Sequence, residues 1–478
     1  MSDYRRRKWR DAMAVRVDVN GALDSLVGPG GITAAELEAL APRVAEIHSR
    51  LEEERRAKLL PFAELPYDKR HVREVVALAD EVKNEFDTLV VLAIGGSALG
   101  ADLLYRALRP PFHRVRPGNA ERGLRLIVND NIDPWTFGAI LDEVDPRTTA
   151  FNVVSKSGQT AETVSRFLIV RDRLLKVLGA VDYNRHVIIT TDTEGGELRQ
   201  IVNDEGFRSL AIPPGVGGHF SVLSSAGLFP AAVAGIDVYE LLAGAVAMDE
   251  RCRSASIFEN PAYLHGAVHH LAHSEKGRSV QVIWPYADSL AGVADWFKEL
   301  WAESLGKRYD RSGREVFHGQ TIVRAVGVSD QHAQLQLFAE GPNDKIITFL
   351  RVEEPGPSLE VPQGYSDLEG VAYLGGHSLG ELLNLEQRGT EISLARRGRM
   401  TTTVHVPAVN AFTVGQLLHL FELQTVFVAA LADVDPFPIP GVEESKRLAY
   451  AMAGRRGYEE SKADVQVWLQ KKDPRFVI

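Results

Sequence analysis

One cysteine, Cys252, in 478 residues excludes an intramolecular disulfide and fits a reducing compartment. No apolar run approaches the ~20 residues that a membrane-spanning helix needs. The basic opening stretch MSDYRRRKWRDAM is not followed by an apolar core and cleavage site, so no signal peptide is read. A cytoplasmic location, away from any membrane, is expected. A net charge of −10 argues against a general nucleic-acid binder and leaves local anion sites open. The Arg5–Arg10 cluster reads as a solvated helix end. Nucleotide signatures are also missing. There is no G-x-x-x-x-G-K-[ST] loop, and Gly95-Gly96-Ser97 lacks both the G-x-G-x-x-G spacing and a clear acidic partner.

What is present is a globular composition, 45% hydrophobic and 25% charged, with enough chain for two or three domains. Short buried-strand patterns alternate with helical ones: Thr88–Ile94, Leu124–Val128, Thr149–Val154, His186–Thr191 and Ser209–Ile212. After a helical stretch the alternation resumes at Val280–Pro285, Thr321–Val326, Ile346–Val352 and Thr401–Val406. This order predicts an α/β fold with parallel sheets flanked by helices. Three regions are expected: a mostly helical 1–75, a first α/β unit over 76–255 and a second over 256–478. Thr33 is a plausible helix cap, Pro42 a break, and Pro61–Tyr67 a linker.

The densest chemistry lies in Ser155-Lys156-Ser157-Gly158-Gln159-Thr160, between a buried strand and the helix opening at Ala161. Hydroxyls, a cation and a helix N-terminus suit a phosphate monoester. The same loop can also be an ordinary Ser/Thr-rich turn capping its own helix. Gly95-Gly96-Ser97 could admit a ligand to the backbone, or serve tight helix–strand packing. His219, in Gly217-Gly218-His219-Phe220-Ser221, stands at a glycine turn. Glu303 sits near a helix C-terminus, which disfavours its charge and suits a general base, or it is a surface partner of Lys307. His332 follows a strand's carboxyl end, where α/β folds hold ligands, and titrates near neutrality. Lys446, early in what reads as the last long helix, opposes the helix dipole unless Glu443 or Glu444 pairs with it.

In order, GGSALG, SKSGQTAET, VGGHFSVLS, AESLGK, SDQHAQLQ, EGPNDK and PGVEESK resemble the phosphoglucose isomerase family from Gly95 to Lys446. The resemblance implies two sugar-isomerase (SIS-type) subdomains and a helical N-terminal region. It also implies a homodimer with active sites at the subunit interface and no metal or other cofactor. The activity implied is a ketol isomerisation of glucose 6-phosphate and fructose 6-phosphate, in glycolysis and gluconeogenesis. By position, Ser155, Lys156, Ser157 and Thr160 line the phosphate site, while Gly96 and Ser97 border the sugar. Glu303 matches the base acting between C1 and C2. His332, from the partner subunit, and Lys446 match residues that help open the ring. The family usually has arginine at His219, glutamine at Glu299 and an aspartate–glutamine pair at Pro438 and Ile439. Those departures keep two rivals open: an isomerase of another phosphosugar, or a regulatory phosphosugar binder. A pure binder needs no α-proton base, which speaks against the second.

Overall fold

A computed structural model describes residues 3–111 and 123–478. The first short strand is β1 (Arg16–Asp18). A sheet of five parallel strands follows: β2 (Thr88–Leu92), β3 (Arg125–Asn129), β4 (Thr149–Val154), β5 (Val187–Thr191) and β6 (Arg208–Ala211). Their spatial order is β3-β2-β4-β5-β6. Every residue of β2, β4 and β5 is buried, as strands covered on both faces require. The second sheet takes β7 (Val280–Pro285), β10 (Thr321–Arg324), β11 (Lys345–Glu354) and β12 (Met400–Ala408), all parallel. Its order is β1-β12-β11-β7-β10, with β1 antiparallel on β12. A small hairpin, β8 (Lys307–Tyr309) and β9 (Glu315–His318), stands apart. The N-terminal region, expected to be mostly helical, thus also contributes an edge strand.

Strand alternation explains the layering. On β2, Leu89 and Val91 join one core while Val90 and Leu92 join another. On β11, Ile346 and Leu350 point into the same large core as Leu89, and Ile347 and Phe349 away from it. The shared core is a helical layer between the two sheets. It includes Val238–Arg251, Pro261–Ser274, Ala291–Leu305 and Ala411–Leu431. The last is apolar and long enough to cross a membrane by composition, contrary to the expectation from the sequence. Its apolar window is 94% buried inside the protein, which accounts for its hydrophobicity on all sides.

In Ala291–Leu305, Val293, Trp296, Phe297, Leu300 and Trp301 recur at helical spacing and are buried, leaving Glu299 and Glu303 on a different face. The Thr33 cap forms a full capping box with Glu36, and Pro42 opens the next helix, Ala41–Arg56. Pro61–Tyr67 is not a linker. It is a 3-10 helix with Phe62, Ala63, Leu65 and Pro66 buried, and the Phe62 ring lies 4.7 Å from that of Phe220. Its apolar residues outweigh its prolines, because burying large side chains contributes ~1.5–3 kcal/mol each. Lys446 lies in the second turn of Pro440–Met452, as expected, and a further helix, Glu459–Gln470, follows.

Candidate active site

A cavity of about 840 Å³ opens where the carboxyl ends of β2, β4 and β5 meet the Ala291–Leu305 helix. Gly96, Ser97, Ser155, Lys156, Ser157, Thr160, Glu299, Glu303 and Lys446 all line it. Two expected residues do not: His219 and His332.

The loop after β4 is arranged to face this cavity. Thr160 is the N-cap of the Ala161–Asp182 helix, yet its side chain caps nothing; its hydroxyl lies 2.8 Å from Ser155 Oγ. That disfavours the self-capping reading and leaves first-turn N–H groups available to an anion. Gly158 has φ +69, and a Cβ there would meet the backbone N of Leu198 at 2.7 Å, so the turn needs glycine. Lys156 Nζ donates to the Val216 carbonyl at 2.9 Å. Burial pushes its ammonium below the usual lysine range, with Asp192 opposing. Arg166, almost fully buried, ties the following helix to the sheet by donating to the Ala93 carbonyl and to Asn129 Oδ1, each at 2.7 Å.

Opposite stands the carboxylate wall. Glu299 Oε1 accepts from Gly96 N–H at 2.6 Å, while its buried Oε2 has no hydrogen-bond partner among the described residues. Burial, and then the nearby Glu303 charge, push Glu299 up to about 7. Gly96 serves both readings of its motif, because a Cβ there would meet the Gly218 carbonyl oxygen at 2.3 Å. Glu303 is not a surface partner of Lys307, whose ammonium donates to the Glu303 carbonyl at 2.8 Å and to that of Pro438. Instead the Glu303 carboxylate Oε2 lies 3.0 Å from His219 Nδ1. The His219 side chain is 2% exposed and that of Glu303 24%, so the imidazole backs the carboxylate from inside the protein.

Lys446 pairs with Glu443 at 2.9 Å. His332 is exposed, in the loop after β10, and does not reach the cavity of its own chain. Sequence reasoning missed the Asp192–Gly196 loop, which closes the cavity after β5; Gly196, at φ +88, passes too close to Ser157 O for any side chain. Its position at a parallel strand's carboxyl end was the available signal. The Pro440–Met452 helix and the turn after it were likewise missed as a brace. Tyr450 Oη donates to the Gln159 carbonyl at 3.2 Å, and Arg455 to Gln159 Oε1 at 2.7 Å.

A family model described as phosphoglucose isomerase matches residues 76–354. The chain belongs to the phosphoglucose isomerase family. Glucose-6-phosphate isomerase of Carboxydothermus hydrogenoformans is 41% identical, over 98% of this chain and 100% of the relative. That of Rubrobacter xylanophilus is 43% identical over 90% and 96%. Among solved structures, a hypothetical protein from Thermus thermophilus superposes with TM-score 0.82 at 34% identity, covering 92% of this chain and 100% of the other. A glucose-6-phosphate isomerase from Chlamydia trachomatis shares the fold, with TM-score 0.77 at 20% identity and coverage of 92% and 90%. The expected fold of two sugar-isomerase-type parallel sheets flanked by helices is therefore the one found.

Proposed function

We propose that this protein interconverts glucose 6-phosphate and fructose 6-phosphate through an enediolate. The observation that carries the reading is that a carboxylate, Glu303, and a hydroxyl-rich anion loop line one cavity. Ser155, Ser157, Thr160 and Lys156 hold the phosphate, fixing the non-reacting end so that C1 and C2 lie near Glu303. In the open-chain aldose, Glu303 removes the proton on C2, and the electron pair forms the C1–C2 double bond of the enediolate. Movement of the O2 proton to O1 and return of the carbon-bound proton to C1 give the ketose. Gly96 and Ser97 border the sugar, and Lys446 acts near the ring oxygen.

His332 completes the site from the partner subunit of a homodimer. Support for this lies in its surroundings. Gln331 donates to Glu386 at 3.1 Å, on the Leu379–Ala395 helix, and that region exposes Leu359, Tyr365, Tyr373, Leu379 and Leu385. We retain the division at residues 75 and 255 and the cytoplasmic location as parts of the same reading. The binder alternative is disfavoured because a pure binder gains nothing from a buried imidazole backing a carboxylate.

The test is a coupled assay that oxidises glucose 6-phosphate as it forms from fructose 6-phosphate. Turnover by the purified chain supports the proposal. Tight phosphosugar binding without turnover would make the protein a binder.

A further inference from the structure

Behind Glu303 the charges do not end at His219. Its Nε2 is buried and has no hydrogen-bond partner among the described residues, and neither has Glu422 Oε1. Glu422 sits inside the Ala411–Leu431 helix with its side chain fully buried, within the electrostatic reach of His219. Its other oxygen, Oε2, lies 3.2 Å from His419 Nδ1, and His419 Nε2 is 3.4 Å from Asp249 Oδ1. Asp249 in turn accepts from Arg55 Nη1 at 2.6 Å, Tyr67 Oη at 2.5 Å and Arg253 Nη2 at 2.7 Å. A line of ionisable groups therefore runs from the cavity wall through the helical layer to the far side.

Unpaired carboxylates are not buried without a compensating proton or cation. Asp249 has its arginines, and His419 stands between two acids, which push it above the usual histidine range despite burial. Glu422 has His419 on one oxygen only. The nearby group able to satisfy the other is the orphaned edge of His219, through a bridging water. A neutral imidazole donating from Nδ1 to Glu303 would turn a bare lone pair toward the interior at Nε2. An imidazolium donates from both nitrogens, one toward Glu303 and one toward Glu422.

We propose that Glu422 is a positioning residue for the base: through His219 it keeps the hydrogen bond to Glu303 charged and its geometry fixed. The other ionisable groups around His219 fit this assignment. Glu303 lies against it from the Ala291–Leu305 helix, and Glu422 is within its electrostatic reach from Ala411–Leu431. On the Gly96–Leu108 helix, Asp102 is paired with Arg106 at 2.6 Å. A charged imidazole stabilises the negative charge that builds up when the enediolate forms beside Glu303, and restrains the carboxylate rotamer while it carries the proton. The inference rests on Glu303 as the base, but its test reads the imidazole without turnover.

Histidine-selective 15N labelling and long-range 1H–15N spectra, with His219 assigned from a His219→Gln variant, report both ring nitrogens against pH. We expect Glu422→Gln to lower the His219 titration midpoint by at least about one pH unit relative to wild type, as removal of a close opposite charge does. Kinetically, Glu422→Gln is expected to lower kcat roughly tenfold with KM little changed, and to do so less than about threefold in a His219→Arg background, where the cation is permanent. A His219 midpoint unmoved by Glu422→Gln would overturn the proposal even if Glu303 proves to be the base. An equal kcat loss in both backgrounds would reduce Glu422 to a packing residue and overturn it too.

Discussion

The two walls of the cavity hold their polar groups in opposite ways. On the loop wall, from the first sheet, the groups are small hydroxyls, backbone N–H and the Lys156 ammonium, with hydroxyls holding one another at modest cost, as in the Ser155–Thr160 contact, and first-turn N–H groups left for a ligand. On the helix wall, Glu299 and Glu303 are like charges one turn apart, and each leans on a single partner, Gly96 N–H or His219. Interchangeable weak donors suit a ligand that arrives with its own charge. A reacting carboxylate needs the reverse: few partners, fixed in place, and little water. Changes on the helix wall should therefore appear in kcat and in pH dependence, and changes on the loop wall in KM.

The largest effect is expected from Glu303→Gln. Steady-state kinetics should show kcat lower by at least ~10²-fold, the low end for a positioned general base, with phosphosugar affinity nearly intact. His219→Ala should follow. Loss of a charge-assisted hydrogen bond of ~1.5–3 kcal/mol predicts roughly a 10–100-fold fall in kcat. A His219→Ala enzyme matching wild type at every pH would make the imidazole a bystander and erase the contrast between the walls.

On the loop wall, Ser155→Ala, Ser157→Ala and Thr160→Ala combined should raise KM, at ~0.5–1.5 kcal/mol per hydroxyl, and leave kcat largely unchanged. A triple variant that lost kcat instead would place this loop in the transition state. Inorganic phosphate binding, measured by calorimetry, should weaken in parallel.

The smallest effect sharpens the comparison through stability. Glu299 in the folded chain holds its proton up to about 7, above the ordinary glutamate value of 4.5, because of burial and then of Glu303. Between those values the folded state binds more protons than the unfolded one, so stability falls as pH rises from 4.5 to 7 and the penalty is constant above. Glu299→Gln removes it. Chemical denaturation should find the variant level with wild type near about pH 4.5 and more stable at about pH 8 by roughly 1–3 kcal/mol. Equal stability at both pH values would mean that Glu299 carries no buried charge.

How well each wall could be read in the sequence follows from how it is built. The loop wall is contiguous: a β-branched strand, a hydroxyl turn and a helix start within Thr149–Thr163 announce it by local chemistry. Glu303 and Lys446 looked locally like surface residues, and only the order of motifs singled them out. The contact between His219 and Glu303 joins segments remote in the chain and leaves no local trace. The same holds for Glu422, which hides as one acid in an apolar helix. Pro61–Tyr67 was misread because its prolines resemble linker punctuation, whereas Phe62 and Leu65 anchor it in the core. β1 is only three residues long and borrows its stability from β12, so no periodicity could reveal it.

The proposed catalysis turns on proton transfer at Glu303, and hydrogen exchange at carbon tests that most directly. With fructose 6-phosphate in D₂O, NMR should show the wild-type chain producing glucose 6-phosphate with solvent deuterium incorporated at C2, while Glu303→Gln binds the sugar and incorporates none above background. Deuterium incorporation by Glu303→Gln at the wild-type rate would contradict this role and move the base elsewhere on the helix wall.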